Sequence, residues 1–120
     1  MRMFRGSTEL YQKLVRDRIP QLIYAAGDVP TWSRLTDDDA YVAALCDKVI
    51  EEVGELRAAS TAEHAEELAD LLEVVQALAC ALGVAMSDVQ PVAAHKRAER
   101  GGFGGRVWLE QQVALGDREP

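Results

Sequence analysis

Apolar residues recur at helical spacing through much of the chain, and prolines, capping residues and glycines divide that pattern into separate helices. A short first helix is predicted over about 18–26, because Pro20 suits the first helical turn and Gly27 suits the position just past the last one. The loop that follows, through Pro30 and Trp32, has no pattern that fixes its path.

The second helix is predicted from Thr36 to about Ala59. The Thr36 hydroxyl can cap its N-terminus, and Asp39, three residues later, can complete a capping box. At about 100° per residue the apolar positions fall within one narrow arc, so this arc must face a core. These positions are Val42, Leu45, Val49, Val53 and Leu56.

The third helix follows almost at once, so the two helices are predicted to form an antiparallel hairpin. Ser60 and Glu63 have the spacing of another capping box, and Gly83 marks the end of the helix. Its apolar arc is wider than a surface helix requires, which predicts a central place in a bundle. The arc consists of Leu68, Leu71, Leu72, Val75, Leu78, Ala79 and Leu82, with Val74 further round.

A fourth helix is predicted from Ser87, as its N-cap, to about Arg100, where Gly101 and Gly102 supply the positive φ that ends it. Residues 106–110 fit either an extended segment or the start of a last short helix. The fold class is therefore predicted to be all-α, a helical bundle of about four helices in a single domain over residues 1–120.

Composition restricts the classes of function. The formal net charge of −7 at pH 7 argues against a general nucleic-acid binder, because such proteins neutralise phosphates with Lys and Arg. The N-terminus has no apolar run suited to a signal peptide, and no run suits a membrane span, so a cytoplasmic location is expected. Cys46 and Cys80 have no CxxC partners and are expected to be buried free thiols.

Two acidic motifs on the predicted hairpin are the candidate chemistry. They are Glu51-Glu52-Val-Gly-Glu55 on the second helix and Glu66-Glu67-Leu-Ala-Asp70 on the third. Facing antiparallel helices can bring these carboxylates together, and such crowding is unfavourable without cations. Oxygen ligands select Mg²⁺ or Mn²⁺, and Zn²⁺ is not expected because no His or Cys cluster is available. Either motif alone is common on solvated helix faces, and its occurrence on two consecutive helices favours a metal site.

A second candidate is a basic stretch that ends in glycines. It contains Lys96, Arg97, Arg100 and Arg106, in a chain that is acidic overall. Cationic side chains and backbone N–H groups exposed by glycines suit phosphate oxygens. The alternative is that basic residues in a last helical turn simply complement the helix dipole.

These motifs resemble the MazG-like and phosphoribosyl-ATP pyrophosphohydrolase-like group of all-α nucleotide pyrophosphatases, which carries EExxE on one helix and ExxD on the next. The segment from Lys13 to Pro20, of the Lys-Leu-Val-Arg-Asp-Arg-Ile-Pro type, is similar to the start of a stand-alone branch of that group. The run from Lys96 to Phe103, with Arg106, also resembles a pattern of this branch. The link from Leu56 to Glu66 is short for the family.

The resemblance implies a Mg²⁺-dependent nucleoside triphosphate pyrophosphatase, which releases a monophosphate and pyrophosphate, with Mn²⁺ as a substitute metal and house-cleaning of non-canonical nucleotides as one role. It implies metal ligands at Glu52, Glu55, Glu67 and Asp70, and a general base at Glu51 or Glu55. Candidate phosphate ligands are Lys48, Lys96, Arg97, Arg100 and Arg106, with Arg16 and Arg18 as further candidates. It also implies a homodimer or homotetramer that completes the site near an interface.

Two alternatives stay open at this point. The resemblance also admits phosphoribosyl-ATP pyrophosphohydrolase itself. From a different class, the chain fits a catalytically silent helical dimerisation or regulatory module with merely exposed carboxylates. Stabilisation by Mg²⁺ separates an enzyme from a silent module, because a metal that binds only the folded state stabilises it by mass action.

Overall fold

The computed structural model describes residues 11–117. Within them the helices are α1 (Ile19–Ala25), α2 (Asp38–Ala58), α3 (His64–Ala81) and α4 (Met86–Arg100), with 3₁₀ turns at Thr61–Glu63 and Leu115–Asp117. This described part contains no strand, so the predicted all-α class is confirmed. The chain divides after Met86 into two compact units. The single domain over residues 1–120 stays a prediction.

Helix α1 has the punctuation that its sequence predicts. Pro20 lies in its first turn, where the missing N–H is not needed, and Gly27 follows its end at φ 99°. The N–H of Gly27 donates to the Tyr24 carbonyl, and the N–H of Asp28 donates to the Ile23 carbonyl. This Schellman pattern stops the helix and starts the irregular segment that leads to α2.

Helix α2 starts slightly later than predicted, and its cap is Asp37 instead of Thr36. The Asp37 carboxylate accepts a hydrogen bond from the Ala40 N–H at 2.9 Å. Asp is a strong N-cap residue, and its position lets Asp38 and Asp39 complement the positive end of the helix dipole. Asp39 therefore lies in the first turn and does not complete a capping box with Thr36.

The α2–α3 hairpin closes through the predicted capping box. The Ser60 backbone N–H and hydroxyl both donate to Glu63 Oε1, at 3.1 and 2.6 Å. A 3₁₀ turn over Thr61–Glu63 comes before α3, and α2 and α3 pack against each other. At the far end, Gly83 adopts φ 73° and begins a second Schellman pattern, in which the Val84 N–H donates to the Ala79 carbonyl.

The packed faces of the hairpin include only part of the predicted apolar arcs. Leu45 and Val74 are the buried apolar residues of the described chain, and Glu52 is buried beside them. On α3 the buried face is thus centred on Val74, which lies at the edge of the predicted arc. Five other arc residues are exposed, and the rest are half-buried; the exposed ones are Val53 on α2 and Leu68, Leu72, Val75 and Leu82 on α3. The apolar arc of α3 is wide enough to pack against two neighbouring helices, and α2 covers one part of it.

The second unit is built on α4. Helix α4 begins at Met86, so Ser87 lies in its first turn and is not the predicted cap. It ends as predicted at Arg100, where Gly101 adopts φ 84° and donates its N–H to the Arg97 carbonyl. Residues 106–110 form no helix, and the first of them, Arg106, adopts φ 56° directly after a turn at residues 104–105.

Two further expectations concern cysteines and membranes. Cys46 and Cys80 are free but exposed, so their predicted burial is wrong; they lie on helix faces that α2 and α3 do not use against each other. No single helix of the described chain is long and apolar enough to cross a membrane. The helical stretch Thr61–Ala81 passes a test of length and composition only when it is taken together with α4, as core helices also do.

Candidate metal centre

Three carboxylates converge on the packed face of the α2–α3 hairpin. Glu52 comes from α2, and Glu67 and Asp70 come from α3. One oxygen from each lies within 4.8 Å of the others, so the three could hold one metal ion. The arrangement arises because Glu52 shares a face with Leu45 and because Glu67 and Asp70 flank Val74 at helical spacing, so the contact that buries the apolar residues also collects the acids.

The burial of these acids is unusual for charged groups. Glu52 is only 6% exposed. Glu52 Oε2 and Glu67 Oε2 are both buried, and neither has a hydrogen-bond partner. A buried carboxylate oxygen without a donor carries a desolvation cost that a cation can offset. Two such oxygens, with Asp70 beside them, are a donor set that fits a hard divalent cation.

Charge repulsion adds to that cost. Burial raises the pKa of Glu52, and the neighbouring charges of Glu55 and Asp70 raise it further against an opposing effect of Lys48. Burial likewise raises the pKa of Glu67, followed by the charges of Glu55, Asp70 and Glu52. Both shifts disfavour the ionised form. A bound cation would favour it again.

The two other acids of the α2 motif differ from this group. Glu55, predicted as the fourth ligand, is exposed and lies outside the three-residue group, although its charge acts on both Glu52 and Glu67. Glu51 has cationic partners. Burial tends to raise the pKa of Glu51, but hydrogen bonds from Lys48 and Lys13 outweigh it and lower that pKa.

Three cations surround the acids of the hairpin. Lys48 Nζ lies 3.1 Å from Glu51 Oε2 and 3.6 Å from Glu52 Oε1. Arg16 donates to Asp70 Oδ1 at 2.8 Å, and Lys13 donates to Glu51 Oε1 at 3.2 Å. The sequence singled out Lys48 and Arg16 as phosphate ligands but did not select Lys13. Lys13 could have been identified from its position at the start of the Lys-Leu-Val-Arg segment, three residues before Arg16.

The other predicted cations have no such partners within residues 11–117. Arg18 is exposed beside α1. Lys96, Arg97 and Arg100 are exposed on α4, and Arg106 is exposed in the turn after it. Among residues 11–117 none of these side chains forms an ion pair. Their phosphate-binding role stays a prediction.

A cleft of about 470 Å³ lies beside the N-terminal segment, by which we mean residues 13–18 before α1. Arg16 is one of its lining residues, so the cleft and the carboxylate group share this side chain. Trp32, Arg34 and Tyr41 also line it, and the Arg34 guanidinium lies 4.9 Å from the centre of the Trp32 ring. The volume lies within the range of small-ligand sites.

Comparison with known proteins identifies the family of this chain. The family model described as phosphoribosyl-ATP pyrophosphohydrolase matches residues 13–97. The chain belongs to this family of pyrophosphohydrolases, and the recognition made from its motifs is confirmed. The match includes α1, α2, α3 and the segment that carries Lys13 and Arg16.

One similar protein is an uncharacterised protein of Mycolicibacterium smegmatis (strain ATCC 700084 / mc(2)155). It is 56% identical over 55 residues, which cover 46% of this chain and 55% of that protein. The alignment therefore spans little more than half of the relative's length. No solved structure matches the chain.

Proposed function

We propose that this protein is a Mg²⁺-dependent nucleoside triphosphate pyrophosphohydrolase. The observation that carries the proposal is the pair of buried, partnerless oxygens Glu52 Oε2 and Glu67 Oε2 beside Asp70, on a chain of a pyrophosphohydrolase family. When bound there, Mg²⁺ would neutralise phosphate charge and lower the pKa of an attacking water. Glu52, Glu67 and Asp70 are the residues that would hold the ion, with Glu55 proposed as a fourth ligand.

The remaining residues have proposed roles in substrate binding and proton transfer. Glu55 is the better candidate for the general base, because Glu51 is already held by Lys48 and Lys13. Lys48 would remain near the phosphates, since it already lies between Glu51 and Glu52. Further proposed phosphate ligands are the exposed cations Lys96, Arg97, Arg100 and Arg106, with Arg18 as an additional candidate.

The nucleoside part of the substrate fits the cleft that Arg16 shares with the carboxylates. The Trp32 ring can stack on a base, and the cleft has the volume of a nucleoside site. The second candidate function is phosphoribosyl-ATP pyrophosphohydrolase, which the family match favours by name. Both reactions release pyrophosphate from a nucleotide, so they differ in the group that the cleft accepts. House-cleaning of non-canonical nucleotides in the cytoplasm is the role that we propose for the first.

A homo-oligomer is part of the proposal. The exposed apolar residues Ile50 and Val53 on α2 and Leu68, Leu72 and Val75 on α3 are between 38% and 71% exposed. An apolar stripe of this kind on a chain with so small a buried core is typical of a subunit interface. A second copy, in a homodimer or homotetramer, is the proposed occupant. Light scattering should give a multiple of the 13.2 kDa chain mass, and Leu72→Glu should reduce it.

The first experiment measures pyrophosphate release from a panel of canonical and modified nucleoside triphosphates and from phosphoribosyl-ATP. Each substrate is tested with Mg²⁺, with Mn²⁺ and with chelator. Glu52→Gln and Asp70→Asn should lose at least about 100-fold in kcat/KM, because even changes beyond the ligands of a metal site cost 10- to 100-fold. Glu73→Gln, an exposed acid of the same helix α3, is the matched control and should act like wild type.

The outcomes separate the candidates. Cleavage of triphosphates supports the proposal, whereas cleavage of phosphoribosyl-ATP alone supports the second function. If no substrate is cleaved, and wild type and Glu52→Gln melt alike with and without Mg²⁺, the proposal is wrong. The silent interaction module would then account for the exposed stripe.

A further inference from the structure

Arg16 is the cation that contacts the candidate metal site directly at Asp70. Its guanidinium donates to Asp70 Oδ1 at 2.8 Å, and Asp70 is one of the three carboxylates that converge. A divalent ion among these carboxylates would therefore lie close to a fixed positive charge. Because like charges repel, Arg16 and the metal compete for the same carboxylate.

The surroundings of Arg16 allow it to move. Its side chain is 57% exposed. Its backbone carbonyl accepts a hydrogen bond from the Ile19 N–H at 3.0 Å, which holds the main chain just before α1 and leaves the side chain free to turn. An exposed ion pair of this kind is worth little, so its loss costs the fold little. Arg16 also lines the cleft of about 470 Å³. On leaving Asp70, the guanidinium would still be at the wall of that cleft.

We propose that Arg16 is an exchangeable counter-ion: it neutralises Asp70 in the metal-free protein, leaves Asp70 when a divalent ion binds, and then binds a phosphate of the nucleotide in the cleft. The inference rests on the proposed metal site and adds a regulation of it. Metal and substrate are then coupled, because phosphate holds Arg16 away from Asp70. A guanidinium suits this exchange, since it binds carboxylate and phosphate with the same forked donors.

The alternative is that Arg16 only fastens the N-terminal segment to α3. The two roles predict opposite changes in metal affinity when Arg16 is replaced. Removal of a fastening cation would leave metal affinity unchanged or weaken it through disorder. Removal of a competing cation must strengthen metal binding and weaken substrate binding at once.

The test is calorimetric titration of Mn²⁺ alone, without nucleotide, into wild type and into Arg16→Gln at low ionic strength. We expect Arg16→Gln to bind Mn²⁺ about fivefold more tightly, the change that about 1 kcal/mol of relieved repulsion produces. Arg16→Lys keeps the charge and should stay near wild type. Arg18→Gln removes the same charge two residues away, from a side chain without an ion pair, and should leave Mn²⁺ affinity unchanged.

Steady-state kinetics at saturating Mg²⁺ complete the test. Arg16→Gln should raise KM on the order of tenfold, as the loss of a hydrogen bond to a charged group does, while its metal affinity rises. Arg57→Gln, an exposed cation on α2, should leave KM unchanged. Equal Mn²⁺ affinity in Arg16→Gln and Arg18→Gln, with tight binding by wild type, would overturn the exchange and leave the metal site standing. If wild type binds no Mn²⁺, the exchange and the proposed function both fail.

Discussion

Two groups of cations in the described part of the chain differ in whether they form ion pairs. Lys13, Arg16 and Lys48 each lie within 3.6 Å of a carboxylate of the α2–α3 hairpin. The cations of the second unit form no ion pair within residues 11–117; they are Lys96, Arg97, Arg100 and Arg106. The paired group offsets the repulsion among crowded acids. For the second group, which has no ion pair among the described residues, we propose that the charge serves an anion from outside.

The comparison assigns different consequences to the two groups. Removal of a paired cation leaves a crowded carboxylate without its compensating charge. It should therefore change the free energy of unfolding or the affinity for metal. Removal of an unpaired cation should change only the binding of an anionic substrate. Each of the following variants tests one side of this contrast.

Lys48→Met should give the largest loss of stability. The Lys48 side chain is 15% exposed and is the cation nearest to buried Glu52. Without it the free energy of unfolding should fall by about 2 kcal/mol, somewhat less than the loss for a fully buried pair. Urea denaturation at pH 7 in chelator measures it.

The matched control is Lys96→Met, which removes an exposed cation of α4 and should shift the unfolding free energy by no more than about 0.5 kcal/mol. Adding Glu52→Gln to Lys48→Met should restore most of the lost stability, because no buried charge then lacks a partner. Equal losses in Lys48→Met and Lys96→Met would contradict the contrast between the two groups.

Stability of the metal-free protein should rise as pH falls from 7 toward 4.5. Burial and repulsion raise the pKa of Glu52 and of Glu67 above the value of 4.5 for an unperturbed Glu. The folded state then binds protons before the unfolded state does, so their destabilising effect is fully present at high pH and is lost on acidification. Glu51 acts in the opposite sense, below about pH 4.5, because its pKa is lowered.

Thermal melting in chelator across this range is the measurement. Glu52→Gln should flatten the rise, and Glu73→Gln should keep the wild-type slope. Saturating Mg²⁺ should also suppress the rise, because a bound cation keeps the carboxylates ionised. A wild-type profile that is flat in chelator would refute the idea that the acids strain the metal-free fold.

The double variant Arg97→Gln/Arg100→Gln should have the smallest effect on the fold. Both residues are exposed in the last turn of α4, so the unfolding free energy should change by no more than about 0.5 kcal/mol. Mn²⁺ affinity should not change. KM should rise about tenfold or more if these cations bind phosphate. An unchanged KM would leave them with the helix dipole as their only role.

The sequence predicted where the helices begin and end better than it predicted which of their faces are buried. Glycines and capping residues act locally, so Gly27, Gly83, Gly101 and the Ser60–Glu63 box appear where the pattern placed them. The Asp37 cap was missed because adjacent acceptors compete for the same helix start. Cys46 and Cys80 were misplaced because helical period gives the width of an apolar arc and does not say which neighbour covers which part.

The candidate site shows the same division. The convergence of Glu52, Glu67 and Asp70 could be predicted, since two motifs on a tight hairpin must face each other. The partners of Lys13 and Arg16 could not be predicted, because they lie 38 and 54 positions away and the path of an irregular segment brings them together. No periodicity determines such a path.

The most direct test of the metal site is a crystal structure of the protein grown with Mn²⁺, with anomalous scattering used to locate the ion. The account predicts a peak among the carboxylates of Glu52, Glu67 and Asp70, with ligand distances slightly above the roughly 2.0–2.1 Å of Mg²⁺, and Arg16 turned away from Asp70. The absence of that peak at Mn²⁺ concentrations that support pyrophosphate release would contradict the account.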